Sequence, residues 1–243
     1  MNESNITGYI DSIETMGLVD GPGVRVVVFM QGCPLRCIFC HNPEMWNIDK
    51  KNKVTPQELV DVLKRYKNYF GETGGVTFSG GEPLIQNEFI LETLKLCKQN
   101  DIHTCLDTSG ACDGCEEILK YTDLVIWDIK AISAKEYENI TNYKIDKSLK
   151  FLNTCQKLNK KMWLRQVIIP NINDNEEYIN ELRQFISPLK NIEKVELLPY
   201  HTKAINKYKK LNISYKLENT KDMDVQKCKY LEQKLKEDLW KKN

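Results

Sequence analysis

Long apolar runs are missing from this 243-residue sequence. Its longest strictly apolar stretch covers only residues 26–30, whereas a helix that crosses a bilayer needs about 20 such residues. Residues 1–5 show no basic region leading into an apolar one, so we expect no secretory signal. The sequence therefore predicts no membrane span and no membrane partner.

Net charge is nearly absent as well, since 35 basic residues oppose 34 acidic ones. A formal charge of +1 gives no electrostatic reason to expect nucleic acid as a partner. The hydrophobic fraction of 41% is too high, and the net charge too low, for a disordered chain. No linker, repeat or low-complexity tract divides the sequence, so we expect one domain.

Short β-branched runs alternate with longer stretches of helical spacing. The runs predict six buried strands, over residues 24–30, 75–79, 103–107, 124–128, 162–169 and 195–198. The longer stretches predict helices over residues 56–69, 89–99, 148–158, 176–185 and 224–240. This alternation indicates parallel strands joined by crossover helices.

Chemically active side chains follow the ends of these six strands. In parallel α/β folds the carboxyl ends of the strands form the active face. Six contributing strand ends fit a barrel better than a crevice fed by two or three strands. We therefore predict an α/β fold, a partial (β/α)6 TIM-like barrel with outer helices in a single domain over residues 1–243. Its expected parts are an N-terminal extension and turn (1–23), the barrel core (24–201) and a basic C-terminal helical segment (202–243).

Positive charge is concentrated in that last segment, where 12 lysines from Lys203 onward face six acidic residues. We interpret the excess as the solvated face of the helix predicted over residues 224–240. A site for an acidic partner is the alternative.

Nine cysteines, an odd number, do not indicate a disulfide framework. Three of them form the motif Cys33-x3-Cys37-x2-Cys40 directly after the first predicted strand. Three close thiolates suit three corners of a four-iron cluster and leave one iron open. Plain buried thiols and a zinc site that includes His41 are the alternatives, although adjacent side chains rarely converge on one tetrahedral ion.

A second pair, Cys112-x2-Cys115, is interpreted as incidental loop thiols, with a metal site as the alternative.

The ordered set of motifs resembles the glycyl-radical activating enzymes of the radical S-adenosylmethionine (SAM) superfamily. The three-cysteine motif with Phe39 before its last cysteine resembles the superfamily signature, and Gly80-Gly81-Glu82-Pro83 resembles its methionine-binding segment. The narrower resemblance to the activating enzymes lies in residues 20–25, 31–33, 40–43, 79–82, 103–110, 128–130 and 197–201.

The resemblance implies that Cys33, Cys37 and Cys40 hold a [4Fe-4S] cluster whose open iron is chelated by SAM. Reductive cleavage of SAM would then give methionine and a 5′-deoxyadenosyl radical, which takes a hydrogen atom from a glycine of the partner. The residues that the resemblance places on SAM are Phe39, Cys40, His41, Gly80, Gly81, Glu82, Asp128, Ile129, Lys130 and His201. The residues alone leave simpler alternatives open: a turn at the glycine pair, a surface ion pair at Asp-x-Lys and a loop histidine.

The same resemblance implies a monovalent cation held by Asp107, Thr108 and Asp128, because hard oxygen ligands suit such an ion. It also makes Asp20 and Arg165 candidates for gripping the glycine-bearing loop of the partner. The alternative for Arg165 is a strand residue paired across the sheet.

The 39 residues between Cys40 and Gly80 contain no cysteine, so the inserted cluster segment of larger activating enzymes is absent. The resemblance therefore implies pyruvate formate-lyase as the partner, with an activator of another glycyl-radical enzyme as the alternative. A small-molecule radical enzyme and a zinc-stabilised binding module are more distant alternatives. One-electron reduction at low potential implies flavodoxin or ferredoxin as electron donor. The resemblance implies a monomer that docks transiently, and the oxygen sensitivity of an open cluster implies an anaerobic cytoplasm.

Overall fold

The computed structural model of the protein describes residues 6–237 and 239. Within them, eight strands form one sheet in the order β3-β1-β2-β4-β5-β6-β7-β8. The strands are β1 (Gly8–Gly17), β2 (Arg25–Met30), β3 (Lys53–Val54), β4 (Gly75–Gly80), β5 (His103–Thr108), β6 (Leu124–Asp128), β7 (Lys161–Ile168) and β8 (Ile192–Pro199). All neighbours from β2 to β8 are parallel, while β1 runs antiparallel to β2 and to β3.

Helices connect the parallel strands. They are α1 (Pro56–Arg65), α2 (Lys67–Phe70), α3 (Asn87–Gln99), α4 (Glu116–Lys120), α5 (Ala134–Thr141), α6 (Asp146–Lys157), α7 (Glu176–Ile186), α8 (Ile205–Leu211) and α9 (Val225–Lys236). The local sequence explains where several of these helices begin. Thr55 and Glu58 form a reciprocal capping box before α1, and the Asp224 carboxylate accepts from the first backbone amides of α9.

The predicted α/β partial barrel is confirmed, and all six predicted strands are present. The helix predicted over residues 56–69 is two helices, α1 and α2, separated at Tyr66. The helix predicted over residues 224–240 is described over Val225–Lys236, and residues 238 and 240 lie outside the described residues. Sequence reasoning did not find β1, β3, α4, α5 or α8. The division at residues 23 and 201 stays a prediction.

The two faces of the parallel sheet differ in polarity. Side chains alternate between faces along each strand, so β2 sends Val26, Val28 and Met30 into the apolar core with the helices. The opposite face carries polar groups inside the barrel, among them Arg25 and Thr77. The interior of the barrel is therefore suited to polar chemistry.

The turn before β2 lies inside the barrel. The Thr77 hydroxyl donates to the Asp20 carbonyl oxygen at 2.6 Å, and the fully buried Arg25 donates to the Thr77 hydroxyl oxygen at 3.0 Å. Gly21 has a φ of +130°, and a Cβ there would lie 3.0 Å from Cys105 Sγ. Glycine at this position allows the chain to pass close to Cys105 inside the barrel. Asp20 thereby reaches the carboxyl ends of the parallel strands.

None of the helices in the described part of the chain combines the length and the apolar character that crossing a membrane requires.

Candidate active site at the carboxyl ends of the strands

A cavity of about 310 Å³ opens at the carboxyl ends of the parallel strands. Most of the residues singled out from the sequence line it: Asp20, Cys33, Cys37, Phe39, Cys40, His41, Gly80, Gly81, Asp107, Thr108, Asp128, Lys130 and Arg165. These residues span most of the chain, and the parallel sheet places them at one edge. Glu82, Ile129 and His201 are not part of this lining.

The loop after β2 that carries Cys33, Cys37 and Cys40 is called the cysteine loop here. Backbone hydrogen bonds hold it from two sides. The amides of Gly32 and Cys33 donate to the carbonyl oxygens of Met45 and Trp46, at 2.8 and 3.1 Å. On the other side, the amides of Arg36 and Ile38 donate to carbonyls at the end of α5, at 2.7 and 2.9 Å. The backbone of the protein itself therefore holds both sides of the loop.

The three thiols of the loop are free and sit in or beside the core. Burial is the largest cause that raises the pKa of each thiol, and for Cys37 it raises the pKa to about 12. Neighbouring thiols raise the pKa of Cys33 and Cys37 further. Within residues 6–237 and 239, no three His, Cys, Asp or Glu side chains are placed to share a single metal ion.

The glycine pair at the end of β4, Gly80-Gly81, fits tightly against the loop after β2. The Gly81 amide donates to the Met30 carbonyl oxygen at 2.8 Å, and the Glu82 amide donates to that of Gly32 at 2.7 Å. A Cβ at Gly80 would lie 2.4 Å from the Met30 nitrogen. We expected glycine here for the approach of a ligand; the structure adds a second reason, which is the approach of the neighbouring backbone.

Glu82 lies behind the cavity wall with 1% of its surface exposed. Its carboxylate accepts from the Thr108 hydroxyl at 2.5 Å, the Ser109 hydroxyl at 2.6 Å and the Ser109 amide at 2.9 Å. Burial raises the pKa of Glu82, and these hydrogen bonds oppose the rise. Glu82 therefore joins the segments that follow β4 and β5.

Asp107, Asp128 and Lys130 form the charged wall of the cavity. Lys130 Nζ donates to Asp128 Oδ2 at 2.8 Å and lies 5.5 Å from the centre of the Phe39 ring. Burial disfavours charge on Lys130, but the interactions with Asp128 and Cys37 outweigh it, so the pKa of Lys130 is raised. Asp128 and Lys130 therefore form a half-buried pair inside the cavity rather than a surface pair.

Asp107 is the most perturbed carboxyl group of this wall. Its Oδ2 accepts from the Ser79 hydroxyl at 2.8 Å, while its buried Oδ1 has no hydrogen-bond partner among the described residues. Burial, followed by the nearby Asp128 carboxylate, raises the pKa of Asp107 to about 7. A buried carboxylate oxygen without a partner is suited to binding a cation.

Arg165 bridges the strand edge and the turn before β2. Its Nε donates to Glu196 Oε2 on β8 at 3.0 Å, and its guanidinium also donates to the Val19 carbonyl oxygen. Its Nη1 lies 3.9 Å from Asp20 Oδ1. Pairing across the sheet is thus present, and the same side chain also lines the cavity.

Two histidines stack at the rim of the cavity. The rings of His41 and His201 lie 3.9 Å apart at an interplanar angle of 12°, and His41 Nε2 donates to the His201 carbonyl oxygen at 3.1 Å. Burial lowers the pKa of both side chains. His201 thus reaches the site through His41.

Ile129 is 2% exposed, and its amide donates to the Arg165 carbonyl oxygen at 2.7 Å.

Sequence reasoning missed several residues of the site. Ser79 binds Asp107, Ser109 binds Glu82, and Trp46 closes the cavity beside Cys40. Ser79 and Ser109 both lie at strand ends, within the motif segments 79–82 and 103–110. Their position in the sequence therefore indicates that they are near the site. Trp46 carries no such signal, because it reaches the cavity through the 3-10 helix Pro43–Trp46.

The partial barrel, together with three cysteines that share its cavity with a Gly-Gly segment, defines a class of protein. The chain matches the model of the Radical SAM superfamily over residues 27–185 and belongs to that superfamily. It is 51% identical over 234 residues to the pyruvate formate-lyase-activating enzyme of Clostridium pasteurianum, covering 96% of this chain and 98% of that protein. It is 41% identical to that of Staphylococcus epidermidis, covering 92% and 93%. The chain belongs to the family of pyruvate formate-lyase-activating enzymes and is a radical SAM enzyme.

Solved structures share the fold. A domain of a pyruvate-formate lyase-activating enzyme from Bacteroides vulgatus superposes with a TM-score of 0.55 at 24% identity, covering 68% of this chain and 94% of that chain. A radical SAM methyltransferase from Sphaerobacter thermophilus superposes with a TM-score of 0.63 at 16% identity, covering 87% and 63%. Superfamily membership implies a [4Fe-4S] cluster and SAM as cofactors.

Proposed function

We propose that this enzyme activates pyruvate formate-lyase by removing a hydrogen atom from a glycine of that partner, which leaves a glycyl radical. The products made from SAM are methionine and 5′-deoxyadenosine. The observation that carries the proposal is one cavity in which three thiols, the Gly80-Gly81 segment, a half-buried Asp-Lys pair and the Asp20–Arg165 pair meet.

The thiols present fit a [4Fe-4S] cluster. Cys33, Cys37 and Cys40 are all free and all line the cavity. Thiolates on one zinc ion converge to about 2.3 Å from that ion, whereas thiolates of a cluster bind separate irons. When bound, the cluster and SAM supply one-electron reductive cleavage of a carbon–sulfur bond. The raised thiol pKa values mean that binding the metal must also release the thiol protons.

The residues around the thiols would hold SAM. The Gly81 backbone is the element of the glycine pair that we place against the methionine amino group. Asp128 and Lys130 would contact SAM directly, and Phe39 and His41 would line the adenosine side. Glu82, Ile129 and His201 would support this lining from behind, through Thr108 and Ser109, Arg165 and His41 respectively.

A monovalent cation belongs to the proposal as well. Asp107, Thr108 and Asp128 line the same cavity, and Asp107 Oδ1 is the buried oxygen without a hydrogen bond. A cation there would offset two like charges that burial brings together. Its expected effect is to keep Asp107 ionised near neutral pH.

Asp20 and Arg165 would receive the glycine-bearing loop of the partner. Both line the cavity, and Arg165 is held in place by Glu196 and by the Val19 carbonyl. The remaining parts of the proposal are a monomer in an anaerobic cytoplasm and reduction by flavodoxin or ferredoxin. The location rests on the oxygen sensitivity of an open cluster.

Anaerobic electron paramagnetic resonance tests the cofactor part of the proposal. The protein is reconstituted with iron and sulfide and reduced, and spectra are recorded with and without SAM. We expect a cluster signal that changes when SAM is added. Stoichiometric zinc without an iron signal would contradict the proposal.

A second assay tests the partner. The reduced enzyme is incubated with SAM and pyruvate formate-lyase, and the glycyl radical and 5′-deoxyadenosine are quantified together. We expect one radical per molecule of 5′-deoxyadenosine. Radical formation only on another glycyl-radical enzyme would redirect the assignment to an activator of that enzyme.

A further inference from the structure

Helix α8 covers the cysteine loop from outside the cavity. The Tyr208 hydroxyl donates to the Cys40 carbonyl oxygen at 3.1 Å, and the Tyr208 ring meets the Trp46 ring edge-on at 5.8 Å. Tyr208 is 3% exposed, and the lining of the cavity includes no residue from α8. This helix therefore connects the protein surface directly to the backbone of Cys40.

Lysines dominate the outer side of this helix and of the 3-10 turn Thr202–Ala204 before it. We call Lys203, Lys207, Lys209 and Lys210 the α8 lysine cluster. Lys203, Lys209 and Lys210 are exposed, and among the described residues no carboxylate lies within ion-pair distance of them. Lys207 pairs with Glu44 and donates to Asn42 Oδ1 at 2.9 Å, which ties the cluster to the cysteine loop.

Of the four lysines of α9, three are paired and Lys229 has no ion pair among the described residues. Lys227 pairs with Asp174, Lys234 with Glu237 and Lys236 with Glu232. From the sequence, we interpret the positive excess of the C-terminal segment as the solvated face of this last helix. Three unpaired lysines, Lys203, Lys209 and Lys210, lie in or just before α8, beside the cysteine loop, against one in α9 among the described residues. This position favours the alternative, a site for an acidic partner.

We propose that the α8 lysine cluster is the docking surface for an acidic one-electron carrier protein that reduces the [4Fe-4S] cluster. The inference rests on the proposed function, because it assumes that Cys33, Cys37 and Cys40 hold the cluster. One electron leaves the carrier and enters the cluster, so the carrier is oxidised and the cluster reduced by one electron each.

Three physical arguments connect the lysines with this partner. The path from the surface to a cluster ligand is short here, because Tyr208 contacts the Cys40 carbonyl directly. Uncompensated positive charge steers an acidic protein to this face and raises its association rate, in a salt-dependent way. Weak redox encounters use small interfaces, and one short helix with its flanking turn suits that size.

The position outside the cavity also separates the two protein partners. The glycine loop would enter the cavity beside Asp20 and Arg165, whereas the carrier would contact α8. Reduction and hydrogen-atom transfer can then follow each other without one partner displacing the other.

A charge-reversal pair tests the surface. The variant is Lys209→Glu with Lys210→Glu, and its matched control is Lys157→Glu with Lys190→Glu. The control lysines are exposed at the opposite end of the barrel, and Lys157 occupies the last turn of α6 as Lys209 and Lys210 occupy that of α8. Both variants therefore change the net charge equally and place Glu at a helix end.

The probe is a flavodoxin with net negative charge. Its oxidised form is titrated into the reconstituted enzyme by calorimetry at several salt concentrations, and its reduced form is used to time cluster reduction by stopped flow. We expect Lys209→Glu/Lys210→Glu to weaken binding and to slow reduction by about tenfold or more, with a smaller salt dependence. The control variant is expected to stay within about twofold of the wild type.

SAM cleavage driven by a photoreduced deazaflavin separates this inference from the proposed function. We expect all three proteins to cleave SAM equally with that small reductant. Unchanged flavodoxin binding by Lys209→Glu/Lys210→Glu, or an equal loss in the control, would overturn the docking surface. Failure of the wild type to cleave SAM with either reductant would overturn the proposed function, while the titrations would still decide whether flavodoxin binds at α8.

Discussion

The Cα of Gly81 lies so close to the carbonyl of Gly32 that a Cβ at Gly81 would stand 2.1 Å from that oxygen. The contact joins the segment after β4 to the start of the cysteine loop. The obstructing atoms are backbone, which has little freedom to move away. Gly81 is therefore fixed as glycine by the protein itself, in addition to any approach by SAM.

Replacing Gly81 with alanine should destabilise the fold. We expect Gly81→Ala to lower the free energy of unfolding by about 3 kcal/mol, the upper part of the range for overpacked sites, because the new methyl group meets the Gly32 carbonyl. Gly71→Ala is the matched control, since Gly71 has a φ of +55° but open space around it, and should cost about 1 kcal/mol. Urea unfolding of the cluster-free protein measures both. Equal costs would contradict the steric explanation.

Asp107 should make stability depend on pH and on cations. Its pKa of about 7 in the folded protein lies above its ordinary value of 3.8, so the folded state holds the proton more tightly. The contribution of Asp107 to the free energy of unfolding is then fully present below pH 4 and is lost as the pH rises toward 7. Above pH 7, potassium or sodium ions should raise the melting temperature by several degrees, since each kcal/mol is worth about 2–4 °C at this chain length.

Asp107→Asn should abolish this cation response and should remove the loss of stability toward pH 7. Differential scanning calorimetry of the cluster-free protein at pH 5 and pH 8, with each salt matched by choline chloride, measures both effects. A variant that responds to potassium as the wild type does would exclude Asp107 as a ligand.

Asp20→Asn should weaken recognition of the partner without affecting SAM. The substitution removes one charge 3.9 Å from Arg165 Nη1, and Arg165 keeps Glu196. We expect the KM for a peptide that carries the partner's glycine loop to rise about tenfold, the size of one lost charged hydrogen bond. The SAM-dependent change in the electron paramagnetic resonance signal should persist. Loss of that signal would assign Asp20 to the SAM site instead.

Cys112 and Cys115 should be dispensable for the cluster. Burial raises the pKa of Cys115 to about 11 and raises that of Cys112 too, so neither is a reactive thiolate near neutral pH. We expect Cys112→Ala/Cys115→Ala to keep the iron and sulfide content of the wild type, whereas Cys37→Ala should lose it. Iron and sulfide analysis after reconstitution decides, and a shared loss would make the pair part of the metal site.

The parallel strands could be predicted because both of their faces are buried. A run such as Arg25–Met30 or Leu124–Asp128 is almost continuously apolar, which is the pattern of strands covered on two sides. Strand β1 could not be found in this way. Its apolar residues Ile10 and Ile13 pack against the core but are three apart, because irregular pairing with β2 between Ile10 and Ser12 interrupts the alternation of two.

The site could be predicted as a set of motifs but not as a set of contacts. Glu82 and residues 103–110 lie in separate motifs of the sequence. No local pattern indicates that Glu82 binds Thr108 and Ser109, which are 26 and 27 residues away. The contact between Tyr208 and Cys40 spans 168 residues and carries no periodic signal. Such contacts depend on how the sheet brings strand ends together.

The sheet runs from β3 to β8 without its two outermost strands pairing to each other in the described part of the chain. A closed ring of strands admits a molecule only through its ends, so whatever enters must be small or must present a free tip. A sheet whose outermost strands are unpaired can also receive a segment that remains joined to a large body on both sides. The geometry of the barrel thus allows the reacting group to be delivered as an interior loop of another folded protein, without that protein being cut or unfolded at a terminus.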